Sequence, residues 1–220
     1  MKKDRSQSRN PTRRPNKAAA TRLRIVSGRM KNKKVAYNGD PGTRPMKERT
    51  REAVFSLLGG KFFGHFVVDM FAGTGILAFE AISRGAGEAV LLELARPCVS
   101  EMLQSARDLQ IDDVITIQNV DTIRWLKNIE SIASQWPREP WIIFCCPPYK
   151  LWVAESEKLH QGLVEIYRLA PPGSQIICES DKTFDIATGL PDLEWDVRSY
   201  PPAFVGLCDK LGESDADSPE

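Results

Sequence analysis

The chain has 220 residues, of which 42% are hydrophobic and 27% are charged, and its formal net charge is +1. This length suits one well-buried domain with appendages, because a domain typically holds about 100 to 200 residues. No run approaches the roughly 18 apolar residues of a membrane span, and the polar start does not resemble a secretory signal. We therefore expect a cytoplasmic protein with no membrane contact.

The cysteines exclude two further classes of protein. There are five, namely Cys98, Cys145, Cys146, Cys178 and Cys208. They are scattered, and the only close pair is adjacent, so the spacing favours neither a zinc ribbon nor a disulfide framework. We expect reduced, buried thiols and no bound metal.

The small net charge hides a strong asymmetry along the chain. Residues 1–34 contain thirteen Lys or Arg and a single acid, Asp4, so this segment carries +12 and the remainder about −11. Residues 1–22 hold too few apolar side chains to bury, which predicts a disordered basic arm. Such arms commonly neutralise nucleic acid phosphates, although a solvated tail is the simpler alternative.

Residues 23–42 are predicted to form a small basic β-hairpin. Basic and apolar side chains alternate over residues 23–28, a basic turn follows at 29–34, and residues 34–37 return as a second strand. Residues 38–42 contain the Asn, Gly, Asp and Pro typical of turns, so they mark a boundary.

A helix is predicted from Thr43 to the glycine pair at 59–60, because Pro45 suits the first turn of a helix. Its apolar stripe faces the core. Its polar face, which includes Arg51, is interpreted either as solvated surface or as part of a substrate channel.

The rest of the chain alternates strands and helices. Strands are predicted at 66–69, 88–93, 114–118, 141–146 and 174–179, with a closing antiparallel pair at 195–200 and 203–208. This order indicates an α/β Rossmann-like fold, with a mostly parallel seven-stranded sheet and helices on both faces. The domain is expected to span residues 43–210, followed by a disordered acidic tail at 211–220.

The connection between the first strand and helix of this domain indicates a cofactor site. The strand ends in Asp69, and Gly73 and Gly75 then allow a tight turn and a close backbone approach to a ligand. Residues 73–78 also match the dinucleotide pattern Gly-x-Gly-x-x-Gly/Ala, so an oxidoreductase is one alternative. A carboxylate aimed into the turn suits the ammonium of S-adenosylmethionine better than a pyrophosphate. The segment resembles the first motif of class I methyltransferases, with cofactor contacts expected at Asp69, Phe71, Ala72, Gly73, Thr74 and Gly75.

Two more acids follow strands and should lie on the same rim of the sheet. Glu93 follows the second strand and can accept from both ribose hydroxyls, a geometry that suits a carboxylate. Asp121 follows the third strand and can accept from the adenine amine, while Ile76 or Leu94 packs on the adenine face. Taken singly, each acid is more often a solvated loop carboxylate. Together, each following a strand, they favour an adenosyl site.

The fourth strand ends in Cys146, Pro147, Pro148 and Tyr149, which we expect to form the catalytic segment. Consecutive prolines hold the chain extended and leave carbonyl groups free to accept from an exocyclic amine. Tyr149 offers a face on which a flipped base can stack. The simpler alternative is a structural Pro-Pro turn with a surface tyrosine.

Several motifs, in order, resemble those of the RsmD family. They are Arg24-Ile25-Val26-Ser27-Gly28, Thr43-Arg44-Pro45, Arg51-Glu52-Ala53-Val54-Phe55, the segments at 69–75 and 80–86, Glu93 and Pro147-Pro148-Tyr149. The resemblance implies S-adenosylmethionine as cofactor and methylation of guanine N2 in 16S ribosomal RNA. It also implies 16S ribosomal RNA or the assembling small ribosomal subunit as partner, and we expect a monomer. The RNA contacts are then expected at Arg24, Arg29, Lys31, Lys33, Lys34, Arg44 and Arg51.

The chain departs from the family pattern at Cys146, where the family usually has Asp before Pro-Pro-Tyr. A thiol accepts poorly from a guanine amine, so three interpretations stay open. In the first, backbone carbonyls and positioning replace the carboxylate. In the second, the cysteine takes part in altered chemistry. In the third, the protein is an RNA-binding assembly factor without turnover. A second departure is Tyr200-Pro201-Pro202, where the family tends to carry Tyr-Gly.

Overall fold

A computed structural model describes residues 21–37, 39, 43–60 and 62–211. The basic arm predicted for residues 1–22 lies outside the described residues up to residue 20, and its last two residues begin a strand, β1. The acidic tail predicted for 211–220 lies outside them from residue 212 onwards.

The main sheet has seven strands in the order β5-β4-β3-β6-β7-β9-β8. Their bounds are β3 Phe66–Asp69, β4 Glu88–Glu93, β5 Ile115–Asn119, β6 Trp141–Cys145, β7 Gln175–Ser180, β8 Asp196–Tyr200 and β9 Ala203–Asp209. The first five are parallel to one another, and β9 runs antiparallel to both β7 and β8. The predicted seven-stranded, mostly parallel sheet and its closing antiparallel pair are confirmed.

Helices cover both faces of this sheet, as predicted. They are α1 Glu48–Leu57, α2 Ile76–Ser83, α3 Arg96–Leu109, α4 Thr122–Trp125, α5 Ile129–Ala133, α6 Tyr149–Ala154, α7 Ser156–Leu169 and α8 Ile186–Gly189, with a 3-10 turn at Leu126–Asn128. Successive strand residues point to opposite faces, so Val67 belongs to one hydrophobic core and Val68 to the other. None of the five cysteines forms a disulfide, and all are buried except Cys146, which is partly exposed.

Two helices differ from the sequence prediction in their bounds. Helix α1 begins at Glu48 rather than near residue 43, because Pro45 disfavours a helical conformation at the preceding residue. The helix predicted from residue 153 to 169 is instead two helices, α6 and α7, interrupted at Glu155, whose φ is −127°. The extended segment 43–47 becomes available to line a cleft.

The predicted hairpin is present, with β1 Thr21–Arg24 paired antiparallel with β2 Lys34–Tyr37. Its connecting turn packs on the end of α2. The Arg29 amide donates to the Ser83 carbonyl at 2.7 Å, and the Met30 amide donates to Ser83 Oγ at 2.9 Å. A Cβ added at Gly28, whose φ is +78°, would lie 1.9 Å from the Ser83 carbonyl oxygen, so only glycine fits this contact.

Glu80, in α2, binds the hairpin backbone through its carboxylate. Its side chain is fully buried and accepts from the amides of Val26 at 2.7 Å and Ser27 at 2.9 Å. Arg84 Nε also donates to it at 3.0 Å, and Arg51 Nε lies 3.8 Å away. This set of contacts, the Glu80 dock, fixes the hairpin against the sheet domain.

The expected RNA contact at Arg51 is wrong, because this residue belongs to the Glu80 dock. Its side chain is only 1% exposed, and its Nη2 donates to the Arg24 carbonyl oxygen at 2.6 Å. The helix periodicity placed Arg51 on the polar face of α1, but the hairpin covers that part of the face.

Candidate active site

A cleft of about 1060 Å³ lies at the carboxyl ends of the central strands. Strand β3 pairs with β4 on one side and β6 on the other, so the direction of strand succession reverses there. Open α/β sheets bind ligands at such a reversal. The predicted site residues that line the cleft are Arg44, Phe71, Ala72, Gly73, Thr74, Glu93, Asp121, Cys146, Pro147, Pro148 and Tyr149.

The turn between β3 and α2 needs both of its glycines. Gly73 and Gly75 have φ of +54° and +75°, a region that other residues rarely adopt. A Cβ on Gly73 would lie 2.9 Å from Thr43 Cγ2, and one on Gly75 would lie 2.9 Å from the Phe79 ring. Gly73 lines the cleft as expected, whereas Gly75 does not and serves the packing of the turn.

Asp69 ends β3 and is 1% exposed. Neither carboxylate oxygen has a hydrogen-bond partner. Burial, and secondly the charge of Glu93, raise the pKa of Asp69 to about 7, although the nearby amides of Phe71 and Ala78 lower it in part. The carboxylate is not itself part of the cleft wall, but Phe71 to Gly73 directly after it are.

Glu93 ends β4, and the protein backbone orients its carboxylate. Oε2 accepts from the Gly73 amide at 2.8 Å, and Oε1 accepts from the Ala95 amide at 2.7 Å. Each carboxylate oxygen can accept a second hydrogen bond. The half-buried carboxylate therefore keeps acceptor capacity toward the cleft while it also holds the glycine turn.

Asp121 lies after β5 and caps the short helix α4. Its Oδ1 accepts from the Ile123 amide at 2.9 Å and the Arg124 amide at 3.4 Å. Oδ2 lies 3.7 Å from Arg124 Nε, in an exposed ion pair. One oxygen is thus engaged in capping, a use that sequence reasoning did not anticipate. Leu94, 68% exposed, lies on the cleft wall and offers an apolar surface there, and Ile76 and Ile123 also line the cleft.

The segment after β6 brings Cys146, Pro147, Pro148 and Tyr149 into the cleft. Burial raises the pKa of the Cys146 thiol well above its usual value, and the charges of Glu179 and Asp69 raise it further. The thiol is therefore neutral at physiological pH. This disfavours a nucleophilic role for Cys146, because the thiolate is the nucleophile.

Glu179 is a cleft residue that sequence reasoning missed. It lies near the end of β7, next to β6, and accepts from the Tyr149 hydroxyl through Oε1 at 3.1 Å. Burial raises the pKa of Glu179, while the Tyr149 hydrogen bond and the charge of Arg44 oppose that shift. The rule that ligands meet the carboxyl ends of parallel strands would have identified it, had it been applied to this strand as well.

The predicted RNA-contacting residues, apart from Arg51, lie on the surface. Arg29, Lys31, Lys33 and Lys34 are exposed on the hairpin, and Arg44 is exposed at the cleft. Arg24 is also exposed, but its guanidinium pairs with Glu48 and donates to Asn32 Oδ1 at 3.1 Å. The hairpin thus presents a basic surface that Arg24 joins only in part.

Within the part of the chain that the structure describes, no helix is long and apolar enough to cross a membrane. The same residues contain no group of three His, Cys, Asp or Glu side chains arranged to hold a metal ion.

The strand order, with β9 reversed between β7 and β8, and the glycine turn after β3 together define a class I methyltransferase fold. A solved structure with this fold is that of an Escherichia coli protein described provisionally as the methyltransferase YhhF. It has a TM-score of 0.69 at 20% sequence identity and covers 88% of this chain and 100% of its own.

The family model described as "Conserved hypothetical protein 95" matches residues 23–198. Ribosomal RNA small subunit methyltransferase D of Buchnera aphidicola is 32% identical over 145 residues, 66% of this chain and 67% of its own. The Escherichia coli (strain K12) protein of the same name is 27% identical over 92% of this chain and 98% of its own. The chain belongs to this family, the RsmD family.

Proposed function

We propose that this chain is an S-adenosylmethionine-dependent methyltransferase that modifies guanine N2 in 16S ribosomal RNA. The observation that carries the proposal is the placement of a buried carboxylate without partners, Asp69, beside the cleft that holds residues 146–149. The family relatives named as ribosomal RNA small subunit methyltransferases support the choice of RNA. Such an enzyme would work in the cytoplasm, on 16S ribosomal RNA or the assembling small subunit, and as a monomer.

The residues of the cleft fit the methyl donor. A buried carboxylate without a hydrogen bond is costly, so Asp69 fits a cationic ligand group, reached directly or through a water. Glu93 would accept from the ribose hydroxyls, and Leu94 and Ile123 would pack on the adenine. Asp121 would accept from the adenine amine through Oδ2. When bound, the cofactor supplies a methyl group on a sulfonium, which is already reactive toward an amine.

Residues 146–149 would hold the base to be methylated. Pro147 and Pro148 keep the chain extended, and the ring of Tyr149 offers a stacking surface, which is worth about 1 to 3 kcal/mol per base. The hydrogen bond from Tyr149 to Glu179 limits rotation of that ring. These residues would orient the amine, and orientation can supply a large share of a methyl-transfer rate.

The exposed cations would bind the RNA backbone. Arg44 lies at the mouth of the cleft, and the hairpin contributes Arg29, Lys31, Lys33 and Lys34. Because the Glu80 dock fixes the hairpin to α2, the basic surface and the cleft keep one relative position. Phosphate contacts of this kind position a substrate without specifying its sequence.

The test is methyl transfer from labelled cofactor to small ribosomal subunits purified from a strain that lacks the gene. We expect one methyl group per subunit, located on guanine N2 by mass spectrometry of the ribosomal RNA, and no transfer to subunits from the parent strain. Absence of transfer, with the cofactor bound, would contradict the proposal.

A second candidate function is an RNA-binding assembly factor without turnover, favoured by the neutral thiol of Cys146. It predicts cofactor and subunit binding without transfer, and transfer restored by Cys146→Asp. The dinucleotide oxidoreductase predicts nicotinamide binding that tolerates Asp69→Ala.

A further inference from the structure

We propose that Glu179 provides the carboxylate acceptor for the amine that is methylated, at a site where residue 146 offers only a thiol. This inference rests on the proposed methyl transfer and names the group that receives the amine proton. It removes the apparent conflict between the Cys146 thiol and an active enzyme.

The sheet places Glu179 beside the catalytic segment. Strands β6 and β7 are parallel, and Cys145 pairs in register with Cys178. The next residues along the two strands are Cys146 and Glu179, so both project from the same edge of the sheet, and both line the cleft. A carboxylate at residue 179 on β7 can therefore reach the same part of the cleft as a side chain at residue 146.

One hydrogen bond holds the carboxylate, a second holds the backbone of Glu179, and a nearby charge favours the ionised form. The Tyr149 hydroxyl donates to Oε1 at 3.1 Å, and Trp152 Nε1 donates to the main-chain oxygen of Glu179 at 2.8 Å. Arg44 lies near enough for its charge to favour the ionised form. Among the described residues, the side-chain hydrogen bonds of Glu179 involve Oε1 alone, so Oε2 remains an acceptor for a ligand.

The carboxylate and the stacking residue form one unit. Tyr149 is the predicted platform for the base, and its hydroxyl is bonded to the same carboxylate that would accept from the base amine. An amine on a stacked base would then meet Oε2 at a distance set by the protein rather than by solvent. Such fixed placement of an acceptor is what a transfer to nitrogen requires.

The proposed step is balanced in atoms and charge. The amine nitrogen forms a bond to the methyl carbon, the carbon–sulfur bond breaks, and its electron pair stays on sulfur. The nitrogen loses one proton, which Glu179 accepts and passes to water. Burial raises the pKa of Glu179, which makes the carboxylate a better proton acceptor than an exposed glutamate.

The experiment compares wild type with Glu179→Gln, Cys146→Asp and the double variant, using undermethylated small subunits. We expect Glu179→Gln to lower kcat about 100-fold, the scale of general acid–base contributions. Its dissociation constants for S-adenosylhomocysteine and for the subunits should not change. Cys146→Asp should restore most of the lost kcat in the double variant, because it supplies a carboxylate from the neighbouring strand.

Two controls separate this role from a structural one. Glu88→Gln changes an exposed glutamate at the start of β4, the end of that strand away from the cleft, and should leave kcat unchanged. Tyr149→Phe keeps the ring and removes the bond to Glu179, so it should lower kcat less than Glu179→Gln does.

Each remaining outcome contradicts the inference. Full activity of Glu179→Gln would show that another group accepts the proton. Lost cofactor or subunit binding in that variant, or no rescue by Cys146→Asp, would assign Glu179 a structural role. An inactive wild type that binds cofactor and subunits would contradict the proposed function itself, and this result differs from all of the others.

Discussion

Two buried carboxylates lie on either side of the glycine turn, and their surroundings are opposite. Glu80 accepts from the Val26 and Ser27 amides and from Arg84, and it lies 3.8 Å from Arg51 Nε. Asp69 is 1% exposed and has no hydrogen-bond partner on either oxygen. Burying a carboxylate is unfavourable unless it is paired.

The difference distinguishes a structural acid from a binding acid. The partners of Glu80 all come from the chain, so its role is complete in the folded protein. In the described part of the chain, Asp69 has no side-chain partner of opposite charge, and the nearby Phe71 and Ala78 amides do not reach hydrogen-bond geometry. Because it also adjoins the cleft, its charged partner is expected to be a ligand. Exchanging each acid for its amide should therefore affect different properties.

The largest effect is expected for Glu80→Gln. The amide has only one acceptor oxygen, so its NH₂ group would face a donor among the Val26 and Ser27 amides and Arg84 Nε. It also carries no charge to balance the Arg51 guanidinium, 3.8 Å away. Removing one member of a buried ionic network typically costs about 3 to 5 kcal/mol. Chemical denaturation should show a loss of about 3 kcal/mol in the free energy of unfolding.

The matched control for Glu80→Gln is Glu88→Gln, which changes an exposed glutamate and should leave stability within about 0.5 kcal/mol of wild type. The folded fraction of Glu80→Gln should still bind S-adenosylhomocysteine with normal affinity. Unchanged stability would mean that the Glu80 dock contributes little to the fold.

Asp69→Asn should give the opposite pattern. The variant keeps the shape and loses the charge, so we expect the dissociation constant for S-adenosylhomocysteine to rise about 30-fold, or about 2 kcal/mol, the scale of a charged hydrogen bond. The free energy of unfolding at pH 8 should not fall, because the variant removes a buried charge without partners. Calorimetric titration measures the first property and denaturation the second. Normal cofactor affinity in this variant would contradict the binding role.

A smaller effect concerns pH. The pKa of Asp69 is about 7 in the free protein, so the carboxyl is mostly protonated at pH 6 and mostly ionised at pH 8. A cation binds the ionised form, so wild-type affinity for S-adenosylhomocysteine should rise about 10-fold from pH 6 to pH 8. Asp69→Asn should lose this dependence. An equal dependence in wild type and variant would assign the titration to another group.

The smallest effect concerns the basic hairpin. Replacing Lys31 and Lys33 by alanine removes two exposed charges from the surface that the Glu80 dock positions. We expect RNA affinity to fall by about 1 kcal/mol and the logarithmic salt dependence to weaken by roughly 1.4 to 1.8. Filter binding at several salt concentrations measures both.

The matched control removes Arg107 and Arg138, two exposed charges that do not line the cleft. This variant should bind RNA as wild type does. An equal loss in both double variants would indicate that net charge, rather than the hairpin, determines binding.

The sequence was sufficient to predict the sheet and to group the acids that lie at the ends of its strands. Apolar runs alternating with helical patterns predict parallel strands, and one rule about strand ends then groups Asp69, Glu93 and Asp121. These inferences need only local patterns and topology. Asp121 was placed correctly at the cleft, but its capping of α4 depends on the local backbone conformation that follows β5.

The Glu80 dock could not be predicted in the same way. Its contacts join α2 to a hairpin more than fifty residues earlier, and no local pattern records such a distance. One signal was available, because Glu80 is the only charged residue in a helix whose eight residues are all buried. Arg51 was misplaced for the same reason, since its burial depends on the hairpin above it.

The most direct test of the account is the pKa of Asp69, followed by carbon-13 NMR of labelled aspartate carboxyl groups, with Asp69→Asn used to assign the resonance. We expect a pKa near 7 in the free protein. With saturating S-adenosylhomocysteine it should fall well below 7, because the ligand ammonium stabilises the ionised form. A pKa that S-adenosylhomocysteine leaves unchanged would contradict the claim that the missing partner of Asp69 is the cofactor.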